Sequence, residues 1–135
     1  MEFSNFYFRM HVKVWLDRYK QSRNEVVLAK VRVRKLSRDL RICQKKWRFE
    51  QVRWETLRAA THEGAYLHML QAQINCTKFY PGEVQSLQLR LSRAEQAKKS
   101  AKEAAEAAKQ AIRDIQNGVC IEPRDPEAQQ RPSSA

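Results

Sequence analysis

Apolar side chains recur at alternating steps of four and three residues through the first half of this chain. Starting at Phe8, the series runs Val12, Trp15, Tyr19, Ser22, Val26, Ala29, Val33, Leu36, Leu40, Cys43, Trp47, Glu50, Trp54 and Leu57, and only Ser22 and Glu50 are polar. A mean spacing of 3.5 residues held over so many turns marks a helix with one long apolar seam, the pattern of a left-handed coiled coil. Helix breakers are scarce, with three glycines and four prolines in 135 residues. A β fold needs turn chemistry every ten residues or so, and this chain does not supply it.

Beyond Leu57 the same stepping lands on Thr61, Gly64 and His68, so the register fails there. It can be resumed at Ala60 and carried by Leu67, Leu70 and Ile74, a local overwinding with Gly64 as the weak point of one continuous helix. On this reading Pro81-Gly82, behind Phe79-Tyr80, closes the first helix and opens a second. The second helix has its own seam: Val84, Leu87, Leu91, Ala94, Lys98, Ala101, Ala105, Ala108, Ile112 and Ile115. Asn117-Gly118 suits a helix C-cap, and residues 119–135, with three prolines, read as a disordered tail. The predicted fold is all-α: a long coiled-coil helix over 1–80, a shorter antiparallel Ala-rich helix over 81–118 forming a helical hairpin, and a disordered C-terminal tail.

A short connection at Pro81 would pair residues whose numbers add to roughly 161, setting Trp54 against Ala105 to Ala108. Helix lengths of roughly 110 Å and 50 Å would then leave half of the first helix uncovered. The expected partner-helix seam is Phe8, Val12, Trp15, Tyr19, Val26, Val33, Leu36 and Leu40. An apolar stripe of that length calls for another helix, either a foreign protein or a second copy in a homodimer.

Charge points to the kind of partner. The formal net charge is +11, and residues 1–78 hold seventeen Lys/Arg against seven Asp/Glu. The densest patch is Lys30, Arg32, Arg34, Lys35, Arg38, Arg41, Lys45, Lys46 and Arg48, with Asp39 as its one nearby counterweight. Those positions fall between seam residues, so their plainest role is the solvated flank of a coiled coil. The imbalance nevertheless favours an acidic macromolecule: an acidic filament such as a microtubule, or, as second choice, RNA or the ribosome. A basic-zipper DNA reader would place its basic region ahead of the seam, whereas here the two overlap. Residues 6–23 are basic and amphipathic, which also suits a target helix for a calcium sensor of the calmodulin or centrin type.

Chemistry-bearing motifs are missing from the sequence. Cys43, Cys76 and Cys120 are odd in number and widely spaced, and with His11, His62 and His68 they make no metal-ligand pattern. His62-Glu63-Gly64-Ala65-Tyr66 starts like a zincin motif but carries Tyr66 where the second histidine belongs. No phosphate-binding glycine loop or nucleophile elbow is present, so no enzymatic activity, cofactor, metal or small-molecule substrate is expected. The N-terminal cluster around Phe6, Tyr7 and Phe8 is interrupted by Arg9 and Lys13, which argues against a signal sequence or a membrane span. These features together predict an intracellular structural or adaptor subunit of the cytoplasm or cytoskeleton.

Overall fold

The computed structural model describes residues 2–60 and 63–118, all helical apart from the helix ends. Helix α1 spans Glu2–Ala59, α2 spans Glu63–Ile74, a π-helical turn covers Asn75–Phe79, and α3 spans Tyr80–Gln116. The protein is therefore a helical hairpin, a long helix followed by a shorter antiparallel one, with no strand among the described residues. No helix among them is long and apolar enough to cross a membrane. Helix α3 ends as its sequence predicts: the N–H of Gly118 bonds the Ile115 carbonyl at 3.1 Å, and its φ of 90° is the left-handed conformation that glycine adopts without strain. The expected disordered tail lies outside the described residues.

The turn of the hairpin is not where Pro81-Gly82 suggested. Helix α1 stops at Ala59, where the N–H of Ala60 closes a tight bond to the Leu57 carbonyl at 3.1 Å. From Glu63 the chain is helical through Pro81 to Gln116. The register that fails after Leu57 coincides with the end of α1 at Ala59, and α1 has a following arm of comparable length to pair with.

Contacts divide the chain into a central unit, Ala29–Ala97, and a terminal unit formed by the described residues of Met1–Leu28 and Lys98–Ala135. In the central unit Leu36, Leu87 and Ala94 form a buried cluster, with Val33, Leu40, Cys43 and Leu91 packed around it. Trp47 meets Cys76 and Glu50 meets Asn75 across the arms, which fixes an antiparallel pairing centred between Ala59 and Glu63. The expected match of Trp54 with Ala105 to Ala108 is corrected within the central unit, where the 47–76 and 50–75 bonds set Trp54 against residues near 70. In the terminal unit α1 buries Ser22 and Val26, and α3 buries Ala101, Ala105, Ala108, Ala111 and Ile115. Small residues on one helix and Val12, Trp15 and Tyr19, half-buried, on the other are the complement that close helix packing requires.

The second arm crosses Pro81 by inserting one residue. Its covered positions are Ala65, Met69, Ala72 and Cys76, then Tyr80, Val84 and Leu87. Strict heptad stepping from Cys76 would reach Phe79, Glu83 and Ser86, all of which are exposed. The π-helical turn absorbs the extra residue and returns the seam to the same face. It also widens the helix where the Pro81 ring would otherwise press on the carbonyl four residues back. Of the expected stripe through Leu67, Leu70 and Ile74, Leu70 is half-buried, whereas Leu67 and Ile74 are 73% and 50% exposed.

Gly82 gives a direct test of this placement. A Cβ added there meets nothing within 4 Å, and its φ is not positive. Gly82→Ala should therefore stabilise the protein by about 0.5–1 kcal/mol in a urea titration, as in any helix interior. A loss of stability on substitution would instead place a true turn at Pro81-Gly82.

Candidate interaction surface on the first helix

Helix α1 presents one seam inward and a basic, partly apolar face outward. Lys30, Arg32, Arg34, Lys35, Arg38, Arg41, Lys45, Lys46 and Arg48 are all exposed. Among the described residues the one ion pair is Arg53 with Glu50, so none of these nine cations has a carboxylate within salt-bridge distance. Arg41 spends its Nε on the Ser37 carbonyl at 3.4 Å, one turn back on its own helix. The positive field of this segment is left to solvent and to whatever approaches it.

Asp39 is the one acid within the patch, and the next along α1, Glu50, is turned inward. Glu50 is buried, and its Oε1 accepts from Arg53 Nη1 at 3.0 Å and from Asn75 Nδ2 at 3.2 Å. Gln71 Nε2 donates in turn to Asn75 Oδ1 at 3.0 Å. The polar seam position foreseen at Glu50 is thus a cross-arm hydrogen-bond network, the kind of feature that fixes register where apolar contact alone would tolerate sliding.

A second cross-arm bond follows from the π turn. The N–H of Tyr80 donates to the Asn75 carbonyl, five residues back, and residue 81 is a proline without an N–H. The Cys76 carbonyl thereby loses both donors that α or π spacing would offer. Trp47 Nε1 takes their place at 3.1 Å. A tryptophan readable from sequence only as seam volume is the group that completes the backbone of the opposite arm.

The predicted partner seam is largely occupied by the chain itself. Val26 and Leu36 are buried, and Val12, Trp15, Tyr19, Val33 and Leu40 are half-buried, while Phe8 is exposed. The expectation of an uncovered half-helix rested on a second helix that began at residue 81, and it fails because that arm begins at Glu63. The Trp15 indole N–H is buried without a hydrogen-bond partner, and the Arg18 guanidinium lies 5.0 Å from the same ring.

Neither described cysteine is set up as a nucleophile. Burial raises the Cys43 thiol above its ordinary value, Glu83 adds to the shift, and Lys46 partly opposes it. Burial, helped by Glu50, does the same at Cys76. Both therefore stay protonated near neutrality, where reactive thiols must ionise. No three His, Cys, Asp or Glu side chains gather as a metal site would need among the described residues.

What sequence reasoning missed is apolar. Val31, Ile42, Phe49 and Val52 stand exposed among the basic residues, Phe49 at 73%. The signal was present as a second set of apolar positions, offset from the seam. Beside it, Ile42, Cys43 and Lys46 of α1 line an open groove of about 410 Å³ with Phe79, Glu83 and Leu87 of the opposite arm. Comparison of the chain with protein-family models, curated proteins and solved structures returned no match.

The Trp47 bond can be tested by a double-mutant cycle. Trp47→Phe should cost about 1–3 kcal/mol, because it leaves the Cys76 carbonyl unpaired as well as trimming volume. In a Pro81→Ala background residue 81 regains an N–H, and the same substitution should cost about 1 kcal/mol less. Equal costs in both backgrounds, read from denaturant midpoints, would mean that the indole N–H and Pro81 are unrelated.

Proposed function

We propose that this chain is a non-enzymatic coiled-coil adaptor or scaffold subunit that docks an acidic protein partner, such as an acidic filament, on the exposed face of α1. One observation carries the reading: nine basic side chains on a single helical stretch, all exposed and none ion-paired among the described residues. One-sided charge does keep a protein soluble, but it costs self-repulsion, and a run of nine uncompensated cations goes beyond the interspersed signs that a soluble surface needs. The self-covered seam moves the docking surface from the inward to the outward side of the helix. The calcium-sensor reading of residues 6–23 is less favoured, because capture would require Val12, Trp15 and Tyr19 to leave the packing that half-buries them.

RNA is the second reading, supported by Phe49 standing exposed beside Arg48, since an aromatic next to cations is a platform for an unstacked base. Aliphatic Val31, Ile42 and Val52 favour protein instead, because a phosphate backbone has no use for them.

The test is co-sedimentation with microtubules as an acidic filament, alongside electrophoretic retardation of a single-stranded RNA. Lys35→Glu, Arg38→Glu and Lys45→Glu together should weaken filament binding at least tenfold and leave the helical circular dichroism unchanged. Filament binding that ignores the triple reversal, or binding of the RNA alone, would overturn the protein-docking reading.

A further inference from the structure

The groove beside Ile42 lies in the central unit, and every residue used here belongs to that unit. Ile42 and Phe49 are seven residues apart on α1 and so share a face, while Val31, eleven residues before Ile42, falls within about a fifth of a right angle of the same line. Phe79 stands across the groove, 54% exposed, with its ring held edge-on to Tyr80 at 5.1 Å. Cys43 and Leu87 form the floor. Apolar side chains at heptad spacing beside a groove between two helices are the receiving half of a helix-in-groove contact.

The flanks decide what can lie there. Arg38 and Lys45 lie on one side of the Ile42–Phe49 line and Lys46 on the other, with Lys35 one heptad before Ile42, all exposed and without ion pairs among the described residues. With Arg90 on the groove's lining, they set five cations against two acids, Asp39 and Glu83. A second copy of this face would set those cations against one another. We infer that the Ile42–Phe49–Phe79 surface takes a third helix from a partner protein, an amphipathic helix with an apolar ridge flanked by glutamates or aspartates. The inference rests on the acidic-partner reading above and adds to it the shape and pattern of the ligand.

The experiment uses the full chain and two fluorescent probe peptides of identical composition. One is an acidic helix with leucine at heptad positions and glutamate on both flanks, and the other is its scramble. The patterned peptide should bind at least tenfold more tightly, and Ile42→Ser with Phe49→Ser should erase that advantage while leaving the circular dichroism intact. Equal binding of both peptides, unaffected by the serine variant, overturns the groove while the acidic-partner reading stands. Failure of both peptides, with or without binding of single-stranded RNA, overturns the two together. A homodimer in sedimentation velocity that the serine variant dissociates would assign the surface to a second copy and likewise overturn the inference.

Discussion

A helix of 58 residues has no interior, so whatever holds α1 folded in water must lie along its seam. That strip is covered by the chain's own following arm in each unit: Leu36 by the cluster with Leu87 and Ala94 in one, and Ser22 and Val26 by the packing of the other. Every other property depends on this covering. It uses up the inward face and leaves the cations of residues 30–48 outward on the side of α1 that the chain does not cover. The polar seam residue Glu50 is tolerable only because Asn75 and Arg53 meet it.

Registering two long arms requires more than apolar contact, since a uniform stripe tolerates sliding by a heptad. The central unit supplies two directional marks one turn apart on α1, Trp47 to the Cys76 carbonyl and Glu50 to Asn75. Both depend on the π turn, which places Asn75 and Cys76 at its start and frees one carbonyl by combining a five-residue bond with Pro81. The irregularity and the bonds that fix register are thus one feature.

The seam from Val12 to Leu57 and the second from Val84 to Ile115 were legible in the sequence because they keep an unbroken spacing. The turn was not. Between Gly64 and Phe79 the covered residues are Ala65, Met69, Leu70, Ala72, Asn75 and Cys76, several of them small or polar, while the larger Leu67 and Ile74 point outward. Size and burial disagree there, and a pattern read from hydrophobicity follows the wrong residues. Pro81 compounded the error, because its missing N–H is tolerated inside a helix once one inserted residue has shifted the bonds around it. The basic face was readable from charge alone, but its exposed apolar members were not separable from the seam until the seam had been assigned.

The covering of α1 by its own chain is tested most directly by a disulfide in a version with its natural cysteines replaced by alanine. Leu36→Cys and Leu87→Cys stand in one buried cluster, and mild oxidation should close a bridge within a single chain, leaving its mass that of a monomer on a denaturing gel. A bridge that forms only between two chains, or fails to form under the same oxidant, would contradict the account.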